Sequence, residues 1–126
     1  MFKVDYSTEK YITFNLDRKE RSYMAQLRMG ILPLRIETGR YKNEEVHERV
    51  CNICNENVVE DEIHFMFNCN AYTHIRQPFF ESLNLDYFDT WGIDQKLKYL
   101  FENRPRQTSK YIIKLFEFRK SLLYIV

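Results

Sequence analysis

Apolar positions recur at helical spacing through most of this chain and lose that spacing in its middle third. Asp17 is placed to cap a helix from Arg18 to about Met29, with Tyr23, Met24 and Leu27 inward and Lys19, Glu20 and Arg28 toward water. Gly30 is a stop signal, and Pro33 prevents simple continuation. Leu32 to Gly39 is expected to be extended, with Leu34 and Ile36 on one face, and Lys42 to Glu45 is a polar loop. Val59 to Phe67 predicts a short helix whose first turn holds Glu60, Asp61 and Glu62, where the helix dipole favours carboxylates. A further helix starts near Ala71 with Tyr72, Ile75, Phe79 and Leu83 as its apolar stripe, bent or restarted by Pro78. Asn84 to Gly92 is a connector holding Trp91. Two helices follow, Asp94 to about Glu102 with Leu97, Leu100 and Phe101 inward, and Ser109 to the end with Ile112, Leu115, Leu122 and Ile125 as its stripe. Arg104-Pro105-Arg106 separates them, and residues 1–16 show no clean period.

The expected fold is therefore mainly α, in one domain over residues 1–126. Residues 1–41 form its N-terminal helix and extended segment, 42–84 a central module, and 85–126 a helical, locally basic part. A short extended or β-hairpin segment is expected before and at Cys51 and Cys54.

Those cysteines change the picture of the central third. Cys51, Cys54, His64 and Cys69 stand at metal-ligand spacing and include all three cysteines of the protein. Thiolate and imidazole are the ligands zinc prefers, and four of them close a tetrahedral shell, which points to a structural and not a catalytic ion. Iron–sulfur clusters usually take four thiolates. His74 is a rival fourth ligand; His64 fits better because it lies on the short helix feeding Cys69, whereas His47 sits in a polar loop. The plainer alternative is that the cysteines are small buried hydrophobes and His64 a core histidine. On one continuous helix His64 and Cys69 would point about 140° apart, so a shared ion demands a helix break, expected at Asn68 to Asn70. Three thiolates on a divalent ion leave one negative charge, and Arg49 and Arg76 are near enough in sequence to offset it.

Overall charge adds little, at +1. It gives no global case for nucleic acid or an anionic membrane. No uncharged run approaches the roughly 20 residues that span a bilayer, and Lys3 and Asp5 stand where a signal peptide would be apolar. An odd cysteine count argues against a disulfide framework and, with the metal motif, for a reducing intracellular compartment, nucleus or cytoplasm. The C-terminal third is locally basic, with Lys96, Lys98, Arg104, Arg106, Lys110 and Lys114 as candidate phosphate contacts beside Arg49 and Arg76. A solvated helix face is the alternative, and Tyr99 and Tyr111 are candidates for base stacking or for core. No Gly-rich phosphate loop or free nucleophile stands out, and the carboxylates at Glu44, Glu45 and 60–62 are expected to be solvated, so no enzyme is expected. The apolar end, 122–126, is a candidate for self-association.

The run from Glu60 through His64, Phe65, Phe67, Cys69 and Tyr72 to Arg76 resembles the zinc-binding segment at the C-terminal end of non-LTR retrotransposon reverse transcriptases. The upstream block Leu27 to Tyr41 resembles the same elements, so the likeness covers about Arg21 to Phe80. It implies zinc on Cys51, Cys54, His64 and Cys69 and a role in holding RNA or DNA. The polymerase itself is missing: there is no Tyr-x-Asp-Asp, and Asp86 to Asp89 has the wrong order. The chain thus looks like a detached tail of such a protein. The other readings are a structural zinc domain serving a protein partner and an inert mobile-element relic.

Overall fold

A computed structural model describes residues 16–123, and these are mainly α-helical. Helix α1 (Arg18–Met29) starts where expected, because Asp17 and Glu20 form a reciprocal capping box. That box buries Glu20, which the periodicity had placed toward water: its carboxylate turns back to accept the Asp17 N–H at 3.0 Å. Gly30 ends the helix at φ 69°, a left-handed conformation that glycine adopts without a Cβ penalty.

The expected extended segment is instead a short helix, α2 (Arg35–Tyr41). Leu34, its cap residue, has no side-chain oxygen to offer. The cap comes from 25 residues downstream: Glu60 Oε1 accepts the Arg35 N–H at 2.8 Å, and the Glu60 carbonyl accepts the Ile36 N–H at 3.0 Å. The expected β-hairpin reduces, among the described residues, to one antiparallel bridge between Val50 and Val59. The bridge is closed by Cys51 N–H to Val58 O at 2.8 Å and Glu60 N–H to Arg49 O at 3.0 Å.

After the metal-ligand segment come α3 (Thr73–Ser82), α4 (Ile93–Asn103) and α5 (Pro105–Leu123). α3 runs unbroken through Pro78, and α5 begins four residues earlier than the apolar stripe predicts. Pro105 suits a first helical position, whose N–H would have no partner in any case. Helix α5 is the axis of the fold, packed by α1, α3 and α4. Ring contacts join these layers: Tyr23 meets Phe116 at 5.4 Å, and Phe65 meets Phe116 at 4.8 Å and Tyr72 at 5.4 Å. Ile112 and Leu115 are buried as expected, but Leu122 is exposed; Ile125, the C-terminal end and residues 1–15 lie outside the described residues. No described helix is long and apolar enough to cross a membrane.

One ion pair ties the C-terminal helix to the middle of the chain. Arg119 donates from Nε to Glu60 Oε2 at 2.9 Å and from Nη2 to Glu60 Oε1 at 2.7 Å, both residues being buried. Removing one partner of a buried pair leaves the other charge uncompensated, so Arg119→Leu is expected to cost about 3–5 kcal/mol in a urea titration. An unchanged midpoint would mean that Glu60 reaches water. A second expectation concerns Gly39, where a Cβ would collide with the Arg49 side chain as it crosses α2 to bond the Ile36 carbonyl. Gly39→Ala should therefore destabilise by about 1–3 kcal/mol. That is the reverse of the gain that alanine's helix propensity gives at an open site, and a raised melting temperature would refute the close approach.

Candidate metal centre

The bridge between Val50 and Val59 delivers the first two ligands, since Cys51 follows directly from it and Cys54 lies in the turn it closes. The other two come from a π-helical turn, His64–Asn68, and the residue after it. In that turn the Cys69 N–H bonds to the His64 carbonyl at 2.7 Å, five residues back. The wider ring brings residue 69 back over residue 64, where an α-helix would send them apart. The helix then ends at Asn68 and restarts as a 3₁₀ turn at Asn70, with Cys69 extended between them at φ −66° and ψ 122°. The expected break is therefore present, with an extended Cys69 at the junction and Asn70 starting the next turn. Asp61 Oδ1 caps the segment by accepting the His64 N–H at 2.8 Å.

The four ligand atoms lie within 4.8 Å of one another, and all four residues are buried. Cys51 Sγ is 4.0 Å from Cys69 Sγ, and Cys54 Sγ is 3.4 Å from His64 Nε2. Bond lengths of about 2.3 Å for Zn–S and 2.0–2.1 Å for Zn–N put tetrahedral edges at roughly 3.8 Å and 3.6 Å. The group fits a metal ion of that size. Around a tetrahedral ion, these four ligands would fill the shell.

Charge at the sulfurs is handled by main-chain amides. The Ile53 N–H points at Cys51 Sγ at 3.4 Å, and the amide of Cys54 also serves Cys51. Glu56 serves Cys54 in the same way, and Ala71 serves Cys69. Each sulfur thus receives the N–H two residues on, which favours thiolate over thiol. Cys51 and Cys69 push each other's pKa values apart: contact with Cys69 holds Cys51 far below the usual thiol range, and Cys69 is raised, first by Cys51 and then by burial. Burial also raises Cys54. Binding a cation here releases the remaining thiol protons, so affinity falls as pH falls. Tyr72, fully buried beside this group, has a hydroxyl without a hydrogen-bond partner among the described residues. Its pKa is pushed up by burial and then by the negative charge of Glu60.

The expected counter-charges are elsewhere. Arg49 donates to the Glu44 carbonyl at 2.8 Å and the Ile36 carbonyl at 3.0 Å, while Arg76 is buried and donates to the Met66 carbonyl at 3.0 Å. These main-chain bonds fix both guanidinium groups, and Arg76 is also largely out of contact with solvent. Lys96 lies over Phe67 and Phe88, 5.7 and 5.4 Å from their centroids, and Arg104 donates to the Tyr99 hydroxyl at 3.1 Å. Lys98, Arg106, Lys110 and Lys114 are exposed. His74 is exposed on α3, its ring 4.6 Å from Phe118, and stands outside the ligand group.

Three buried charged residues near or tied to this segment were not foreseen from the sequence: Glu60, Glu62 and Arg119. Glu60 was expected to be solvated and is fully buried, with Oε2 3.9 Å from Cys51 Sγ. Glu62 is buried too, and burial raises its carboxyl above the usual range. Arg119 is buried, four residues after Leu115 and seven after Ile112, on the apolar stripe of α5. A cation at a core position was the available signal.

No family model, curated protein or solved structure matches this chain.

Cys54→Ser, or an excess of chelator, should unfold at least the central segment, because binding to such a site is largely folding free energy. Circular dichroism of a sample verified as metal-free checks this; an unchanged melting curve would refute it.

Proposed function

We propose that this chain is a non-catalytic zinc-binding module, derived from the tail of a retrotransposon reverse transcriptase, that binds RNA or DNA. The observation carrying the metal part is the buried Cys3His group with all four ligand atoms within 4.8 Å. Zinc is the ion best matched to a closed thiolate-rich tetrahedron. The nucleic-acid part is supported by the resemblance over Arg21 to Phe80 and by the exposed cations Lys98, Arg106, Lys110, Lys114 and Lys120 on the last two helices. Arg49 and Arg76 are the weaker candidates: both donate to main-chain carbonyls, and Arg76 is buried.

A second reading, a module for a protein partner, is favoured by a different surface. Met29, Ile31, Val46 and Tyr41 are apolar or aromatic and exposed, and Ile31 and Val46 line one hollow with Ile36 and Ile63. Salt separates the two readings. A phosphate binder loses affinity for RNA or DNA linearly in log–log terms, by about 0.7 in slope for each single-strand phosphate contact. The expected result is binding at low salt that collapses as salt rises. Absence of binding at low salt, by a folded and metal-loaded sample, would reject the nucleic-acid reading in favour of the protein partner or an inert relic.

A further inference from the structure

A groove of about 430 Å³ lies between α3 and α5, separate from the metal ligands. Its apolar part is Ile75, Pro78 and Phe79, and Lys110 and Lys114 stand along its α5 side. No carboxylate lines it. Lys110 and Lys114 are four residues apart, so they share a helix face about 6 Å apart along the axis, and Arg106 extends the row by one more turn. All three are exposed.

Phe79 is half-buried and stacks on Tyr111, with centroids 4.2 Å apart and planes 8° from parallel. Tyr111 is itself buried and fixed, its hydroxyl donating to the Met66 carbonyl at 2.5 Å. The groove therefore presents a row of cations beside an aromatic ring on a rigid backing. We propose that it seats a single-stranded segment of RNA or DNA, with phosphates on Lys110 and Lys114 and one unpaired base against Phe79. This rests on the nucleic-acid reading above and gives it a location.

Charge complementarity fixes an anionic occupant. The aromatic floor selects among anions, because a nucleotide joins a negative charge to a flat π face in every repeat and an acidic peptide does not. A duplex keeps its base faces stacked inside, out of reach of a ring set between two helices. The site is tolerant of base identity, as stacking platforms are.

The test uses the metal-loaded full chain and fluorescence anisotropy with labelled oligouridine, labelled oligothymidine and a duplex of the same length. Phe79→Leu keeps the apolar volume and removes the π face; at least about fivefold weaker single-strand binding is expected. Lys110→Gln with Lys114→Gln should flatten the salt slope by about 0.7 per lysine. Lys19→Gln with Lys42→Gln removes the same charge from exposed positions outside the groove and should leave that slope in place. Equal losses in both lysine pairs would overturn the groove while leaving nucleic-acid binding intact. Binding of duplex as tightly as single strand would overturn the unpaired base. Failure of the wild type to bind any nucleic acid would overturn both readings, and binding of oligoglutamate instead, lost in Phe79→Leu, would assign the groove to an acidic peptide.

Discussion

A carboxylate with no access to water sits where three parts of the chain meet, and the rest of the structure depends on it. Glu60 accepts from Nε and Nη2 of Arg119 on the C-terminal helix and from the first N–H of α2, and lies 3.9 Å from a ligand sulfur. Burying a charge costs several kcal/mol unless it is paired and hydrogen-bonded, and a hydrophobic pair of equal volume is often as stable. What the ion pair supplies here is register. It matches one rotation of α5 to the residue next to the Val50–Val59 bridge, and that bridge closes the loop holding Cys51 and Cys54. A slip of either partner would strand a charge in the core.

Arg119 and Glu60 neutralise each other, so neither offsets the negative charge that three thiolates would leave around a divalent ion. That charge falls to the peptide dipoles. Amides two residues beyond Cys51, Cys54 and Cys69 each face a sulfur. Such dipoles need no counter-ion and no side-chain ordering, and they exist only when the backbone turns after each cysteine. Local conformation and ligand charge are thus one device. The same holds for the π turn, which converts an awkward five-residue separation into a shared vertex and leaves Cys69 extended to start the next helix.

How much of this was legible in the chain depends on how local each cause is. α1 was readable because its cap, stop and stripe all lie within its own residues, from Asp17 to Gly30. The ligand set was readable because cysteine and histidine spacing reports chemistry directly. Leu32 to Gly39 was misread because its alternation of Leu34 and Ile36 favours a strand, while the groups that cap it as a helix sit at Glu60. The early start of α5 at Pro105 was hidden for a related reason: Thr108 and Ser109 are buried polar residues that break the apolar pattern yet bond within the fold. Arg49 and Arg76 were given to the metal by sequence proximity, a poor guide for side chains long enough to reach carbonyls several residues away.

The ligand group and the groove are joined by short covalent and hydrogen-bonded paths, so an ion held by the first would bear on a surface it does not touch. Met66, two residues after the His64 ligand, offers one carbonyl to two partners: Arg76 on α3 at 3.0 Å and Tyr111 on α5 at 2.5 Å. Those helices are the walls of the groove. The π turn that aims His64 and Cys69 at one ion also aims the Met66 carbonyl between α3 and α5, and so fixes the ring on which Phe79 stacks. A fold of this size has a limited hydrophobic core to hold two helices at a set distance. With the tether inside the ligand turn, coordination of an ion there would add its binding energy to the hold on both helices.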